Sequence, residues 1–428
     1  MYLLLTNNSP SLDTLSHLPP LPLSIDYSDG TRTMTREDED NIHLGLKQHD
    51  RARWVVLRGP SSSLRMWLRP MNKLFPRLED LTLTSTSIEE LSLMLPEALQ
   101  APDLHRLSLH GIGLPKGSPL LSSAVSLSTL SLTHIGASNY FTPVYLVTQL
   151  RDLPLLEDLS IGFAIPIPLP SSEGALLPTP ISQVTLPKLR RLTFRGVDVY
   201  IDNLVAQINT PLLERLSLTL FFDLTFTLVN LTEFVQRTEG FGCLVARIVF
   251  KEYGASIDAG QQGIQSGKLS LHVNCEPFDW QIDSATQVCN ALGKVVSALE
   301  ELTLDLDADG MPSDWENALD IMLWHDLLLP FIGVKKLRIG RLLTSELSQA
   351  LQSVTGELDL ELLPELQQLE VYINSDDVER RLRAFVEIRQ FMGRPVHIDF
   401  NESVGILVQA PSRSNSTAGS MVDSRLLF

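Results

Sequence analysis

The chain has 428 residues, 44% hydrophobic and 20% charged, with 34 Lys and Arg against 51 Asp and Glu. That composition belongs to a globular chain, and a net charge of −17 argues against general binding to nucleic-acid phosphates. No run approaches the roughly 18 apolar residues a membrane span needs, and the start MYLLLTNNSP has no basic flank for a secretory signal. Three cysteines, Cys243, Cys275 and Cys289, read as reduced core thiols, so the expected compartment is cytoplasm or nucleus.

Residues 1–50 read as an N-terminal cap or extension, Pro-rich and acidic (LPPLPLSIDY, then TREDED) and followed by a short helix-like NIHLGLKQH. WVVL at 54–57 opens a series in which the phrase L-x-x-L-x-L then recurs. It reads LEDLTL from Leu78, LHRLSL from Leu104, LSTLSL from Leu127, LEDLSI from Leu156, LRRLTF from Leu189 and LERLSL from Leu213. Later copies are LEELTL from Leu299, VKKLRI from Val334 and LQQLEV from Leu366, with weaker ones at Val245, at Leu269 and Leu271, and at Val396 and Ile398. The six clear starts from 78 to 213 step by 26, 23, 29, 33 and 24 residues. Those steps centre near the long end of the leucine-rich range of about 20–29 residues.

Units of that length leave room for a helix after each strand. TPVYLVTQLRDL, DVYIDNLVAQIN, FTLVNLTEFVQR, SATQVCNALGKVVSAL and TSELSQALQSV all carry apolar residues at three- and four-residue spacing. Asp198, Ser284 and Thr344 are the expected N-caps. The expected fold is an α/β leucine-rich-repeat solenoid, a horseshoe with parallel strands on the concave face and helices on the convex face. It spans residues 51–401, with a Pro-rich insertion near 165–187 and a disordered Ser-rich tail over 402–428. One departure stands out. The position after the phrase is usually Asn or Cys, yet here it holds Ile112, Ile135, Val197 and Phe221, and only Asn274, Asn374 and Asn401 fit. These turns must satisfy their backbone groups in another way.

SHLPPLPLSIDY, DRARWVVLRG, FPRLEDLTL, LPEALQAPDLHRLSL, TPLLERLSLTLFF, WHDLLLPFIGVKKLRI and MGRPVHIDF together resemble the leucine-rich region of basidiomycete F-box proteins, over roughly residues 10–401. The resemblance implies a substrate receptor of a cullin ubiquitin ligase. In such receptors an F-box docks on Skp1 and the repeats hold the protein to be ubiquitinated. No recognisable F-box precedes the repeats in this chain. The alternative is therefore a stand-alone repeat interaction protein, or a fragment, with no ubiquitin-ligase link.

Strand alternation turns the third, fifth and seventh positions of each phrase toward the concave face. In order these are Arg106 and His110, Arg191 and Arg195, Arg215, Arg247 and Lys251, and Lys268 and His272. Glu301 and Asp305 interrupt the run before Lys336 and Arg338. A basic band on an acidic protein would suit a protein partner bearing an acidic or phosphorylated segment. The competing expectation is that these cations only solvate exposed strands and pair with nearby carboxylates.

Residues 305–316 (DLDADGMPSDWE) match a calcium loop, with Asp305, Asp307, Asp309 and Glu316 as ligands and Gly310 at the turn. A repeat strand rather than a helix precedes that loop, and Pro312 replaces the usual aliphatic residue. The alternative is an acidic connection whose Asp314 caps the helix containing Trp324. GIGLPKG and SGKLS miss nucleotide-binding spacing, and neither G-x-S-x-G nor H-E-x-x-H occurs. No catalytic residue and no cofactor is expected. The five tryptophans read as core or edge packing.

Overall fold

The computed structural model describes residues 3–6, 21–28, 35–87, 93–166, 183–222, 225–226, 228–238, 241, 243–261, 268–310, 312, 320–353, 362–372 and 376–401. The Pro-rich stretch 167–182, Asn374 and the tail 402–428 lie outside the described residues.

Among the described residues eighteen strands run in chain order: β1 (Leu3–Thr6), β2 (Leu23–Ser28), β3 (Ala52–Gly59), β4 (Asp80–Ser85), β5 (Arg106–His110), β6 (Thr129–Ile135), β7 (Asp158–Phe163), β8 (Val184–Thr185) and β9 (Arg191–Gly196). They continue as β10 (Ile208–Asn209), β11 (Arg215–Phe221), β12 (Val245–Lys251), β13 (Gly254–Gly260), β14 (Lys268–Asn274), β15 (Glu301–Leu306), β16 (Lys336–Ile339), β17 (Gln368–Tyr372) and β18 (His397–Asn401). Sixteen of these form one open, mostly parallel sheet, ordered β1-β2-β3-β4-β5-β6-β7-β9-β11-β14-β13-β12-β15-β16-β17-β18. The remaining two, β8 and β10, pair with each other. The first fifty residues thus contribute the first two strands of the common sheet.

Period-2 alternation decides the two faces. Leu81 and Leu83, Leu107 and Leu109, Leu130 and Leu132, Leu192 and Phe194, and Leu216 and Leu218 are buried on one side, while the residues between them are not. Each such leucine contributes on the order of 1.5–3 kcal/mol, so stability is spread along the sheet. Helices supply the other half of the core: α1 (Arg36–Lys47), α2 (Ser61–Trp67), α3 (Pro119–Ser123), α4 (Pro143–Leu150), α5 (Asp198–Ala206) and α6 (Val229–Arg237). They are followed by α7 (Phe278–Ala291), α8 (Gly293–Val296), α9 (Ile321–Leu328), α10 (Thr344–Ser353) and α11 (Asp376–Phe391). Phe250 of β12, Phe278 of α7 and Trp324 of α9 meet edge to face, with centroids 5.4 to 6.0 Å apart. No helix among the described residues is long and apolar enough to cross a membrane.

Several helix starts differ from expectation, each for a local reason. The acidic run after Thr35 is not a loop but the first turn of α1. There Thr35 and Asp38 form a reciprocal capping box, and carboxylates suit a helix N-terminus. Helix α7 begins at Phe278, so Ser284 is an interior, buried residue rather than a cap. Asp198 stands in the first turn of α5, behind Val197 at the cap. Thr344 begins α10 directly after a short 3-10 turn, and its hydroxyl donates back to the Gly340 carbonyl at 3.1 Å. Asp320 caps α9 by accepting from the Met322 N–H at 2.9 Å, while Asp314 lies outside the described residues.

The sheet departs from a purely parallel ladder at one place. From β11 the chain passes over two strand positions to lay down β12, then returns through antiparallel β13 to place β14 beside β11. Only Glu252 and Tyr253 separate β12 from β13, too short a link for a parallel crossover, so the pair must be antiparallel. Gly254 starts the return at φ +150, and a Cβ there would strike the Val273 carbonyl oxygen. Helix α7 then carries the chain to β15, which pairs with β12.

Backbone groups at the strand starts are satisfied by a ladder rather than by Asn side chains. The N–H at the second phrase position donates to the carbonyl at the same position of the preceding repeat, from Glu79 to Arg53, His105 to Glu79, Ser128 to His105 and Glu157 to Ser128, each at 2.8 Å. It continues from Arg190 to Glu157 and Glu214 to Arg190, and beyond the reversed strands from Glu300 to Leu244, Lys335 to Glu300 and Gln367 to Lys335. After β4 the work falls to hydroxyls. Ser61 Oγ and Ser85 Oγ lie 2.8 Å apart, and Ser87 Oγ accepts from the Ser61 N–H.

Candidate functional surface

The side of the sheet opposite the buried leucines is a grid set by strand register. Its first row runs Asp80, Arg106, Thr129, Asp158, Arg191, Arg215 and Lys268. The second row is Thr82, Ser108, Ser131, Ser160, Thr193, Ser217 and Ser270, a hydroxyl on each of seven neighbouring parallel strands. The third row holds Thr84, His110, Thr133, Gly162, Arg195, Thr219 and His272, with Ser256 of β13 opposite His272. Strand spacing of about 4.8 Å separates neighbours in each row.

This register brings the expected basic residues onto one face but not onto one line. Arg106, Arg191, Arg215 and Lys268 share the first row, Arg247 faces Asp258 in the second, Arg195 belongs to the third and Lys251 lies one row further. It also pairs most of them. Arg106 lies 3.4 Å from Asp80, Arg191 binds Asp158 through two nitrogens, Lys268 reaches Asp258 at 3.2 Å and Arg247 reaches Asp305 at 2.6 Å. Lys336 and Arg338 both bind Glu370; burial opposes the charge, yet the two cations hold that carboxyl below its ordinary range. Such exposed pairs contribute about 0–1 kcal/mol each. The result is a face whose charges largely cancel. Among the described residues, Arg58, Arg195, Arg215 and Lys251 form no ion pair.

Three of those cations adjoin histidines. His110 bonds Thr133 Oγ1 at 3.1 Å and stacks on His134 at 5.0 Å, and burial, His134 and Arg58 together depress its pKa. His272 bonds Ser256 Oγ through Nδ1 at 2.9 Å, and burial, Lys251 and Arg195 depress its pKa. Arg195 lays its guanidinium 5.5 Å over the Phe221 ring, which fixes its plane without neutralising its charge.

Three of the four expected calcium ligands, Asp305, Asp307 and Asp309, lie among the described residues. Asp305 turns to the open face and is held by Arg247, while Asp307 Oδ1 accepts from the Asp309 N–H at 3.2 Å. Glu316 lies outside the described residues, and among the described residues no group of three His, Cys, Asp or Glu side chains could hold a metal ion. The cysteines are buried. Burial pushes the thiols of Cys243 and Cys275 up to about 11 and that of Cys289 up to about 12, so none is a ready nucleophile.

Trp67 and Trp324 are core residues, and Trp54 stands on β3 beside Asp80. Trp280 is 48% exposed and stacks on Phe222 at 5.0 Å, while Trp315 lies outside the described residues. A cleft of about 530 Å³ at the starts of β15 to β18 is lined by Glu300, Glu301, Lys335, Lys336, Gln367, Gln368 and His397. Attention to charge alone missed the hydroxyl row and Ser256. The row was visible as the Ser or Thr in LTL, LSL, LSI and LTF of successive phrases. Strand β13 leaves only a weak signal, Ala255, Ile257 and Ala259 alternating with Ser256 and Asp258.

The chain matches no family model, and no curated protein is similar to it.

Proposed function

We propose that the chain is a leucine-rich-repeat solenoid whose concave face recognises a protein partner without catalysis, in the cytoplasm or nucleus. The observation that carries this reading is the hydroxyl row from Thr82 to Ser270. A sheet face opposite the buried leucines, polar and in register over seven parallel strands, is suited to lie against another polypeptide. Short hydroxyls donate and accept, so the row offers hydrogen bonds without bulk. The resemblance to F-box receptors makes the partner a protein destined for ubiquitination. It also makes Skp1 and cullin the machinery, provided a docking element exists.

Affinity capture from a basidiomycete extract tests the reading, with the wild-type chain beside a Ser131→Arg, Ser160→Arg double variant. The wild type should retain a discrete partner that the folded double variant loses. Equal capture by both would remove the concave face from the function. Skp1 and cullin in the wild-type eluate would support the ligase role, and their absence beside a captured partner would leave a stand-alone scaffold.

A further inference from the structure

Of the four cations on the open face that form no ion pair among the described residues, Arg58 and Arg215 stand apart, while Arg195 and Lys251 both act on His272, and that grouping has a chemical direction. In the first two rows Arg106, Arg191, Lys268 and Arg247 each meet a carboxylate one strand away. In the third and fourth rows, where the sheet order inverts, Arg195 and Lys251 face each other across β11, β14 and β13 with no ion pair on either. The acids nearest this region are already engaged, Asp258 by Lys268, Asp305 by Arg247 and Glu252 by the Tyr253 hydroxyl. Between the two cations the floor is Thr219, Phe221, His272, Asn274, Ser256 and Gly254, free of carboxylates and apolar only at the ring under Arg195.

We propose that Arg195, Lys251 and His272 form a binding site for a dianionic phosphate group, centred on the inverted strands. The site rests on the recognition reading above and names the chemistry it selects. At the backbone Arg195 and Lys251 are four strand steps and one row apart, about 20 Å, a gap that a fully extended Arg and Lys would narrow toward the width of one phosphate. His272 stands two steps from each, with Nδ1 anchored on Ser256.

Stacking on Phe221 holds Arg195 as a flat, donor-rich plate, the geometry suited to paired phosphate oxygens. Around the inverted strands each carboxylate, Asp158, Asp258 or Asp305, meets one cation, whereas further along the face Glu370 takes two. Two unmatched cations flanking a protonatable imidazole instead fit a doubly charged ligand. The protein's net charge of −17 repels acidic partners at long range, but at physiological salt charges beyond about 8 Å are screened, so the local cluster decides.

The test uses the full chain and two probes, inorganic phosphate and the peptide acetyl-Gly-phosphoSer-Gly-amide, followed by 31P line broadening and calorimetry. Both should bind, and the tighter of the two names the source of the phosphate. Arg195→Ala and Lys251→Ala should each weaken binding roughly tenfold, whereas Arg106→Ala and Arg247→Ala, removed from ion pairs elsewhere, should leave it within about twofold. Arg195→Lys keeps the charge, loses the plate over Phe221 and should fall between; it also controls for folding. No response from the wild type, or equal losses in all four alanine variants, would overturn the site. Failure here beside intact partner capture that Ser131→Arg and Ser160→Arg abolish removes the phosphate site alone. Phosphate binding in a chain whose capture ignores that double variant removes the broader reading and leaves this site standing.

Discussion

Strands β4 to β11 and strands β12 to β14 share one alphabet, inward aliphatics alternating with outward polar residues, and yet assemble differently. In the first region successive strands are joined through helices or turns long enough to bring the chain back in the same direction. In the second, a two-residue link forces reversal, and the third strand fills the place beside β11. In the first region Arg106 and Arg191 each meet an acid on the strand before. The reversed strands interpose Ser256 and Gly254, and Lys251 is left without an ion pair. Local pattern therefore sets which way a side chain points, while connection length sets which neighbour it meets.

The comparison breaks most visibly at its glycines. Gly254→Val should cost roughly 4 kcal/mol or more in chemical denaturation, because the side chain collides with backbone at a φ that L-residues avoid. Gly162→Ala, in the parallel region, meets nothing closer than 3.6 Å and should change stability by under about 1 kcal/mol. Similar losses at both sites would mean that the reversal is no more demanding than the parallel ladder.

A second contrast lies on the helix side. Asp202 of α5 accepts from the Leu231 N–H at 2.9 Å and from Asn230 Nδ2 at 2.7 Å, tying α5 to the start of α6 before the chain leaves for β12. Asp202→Ala leaves a buried donor without its partner and should cost about 1–3 kcal/mol by thermal or urea melts. A neutral result would show that α6 finds its place without that bond.

Smaller effects sharpen the picture of the open face. Arg106→Ala breaks a pair with Asp80 that is more than half exposed on the arginine side, and should move stability by no more than about 1 kcal/mol. A larger loss would make the first row a structural feature rather than a surface one. The smallest signal concerns pH. His272 has its folded pKa below the ordinary 6.5, so below pH 6.5 the unfolded chain binds the proton that the folded chain resists. Stability should therefore fall as pH drops from 6.5 through the folded value, and His272→Gln should flatten part of that slope. The charged groups involved are Lys251 and Arg195, with Ser256 holding the ring. Superimposable curves for the two proteins would place the titration elsewhere, with His110 the next group to replace.

Much of the surface is legible in the sequence. The leucines of L-x-x-L-x-L are buried as the alternation requires, and Arg106, Arg191, Arg215 and Lys268 do face the same side. The run GASIDAG did not announce itself, because small residues give weak alternation and the phrase is absent from it. Helix starts were misjudged where an acidic run served as a first turn, after Thr35, and where Phe278 and Trp280 opened a helix ahead of the obvious cap, Ser284.

By itself the sequence determined the short strands, the inward and outward residues and the composition of the open face, since these follow from a two-residue period that each segment carries alone. Only the tertiary structure decided that β14 and not β12 lies beside β11, and hence that Lys268 finds Asp258 while Arg195 and Lys251 go without ion pairs. Strand order is a non-local choice: it depends on which crossover can close over the helices and which hairpin cannot, and no single segment records that.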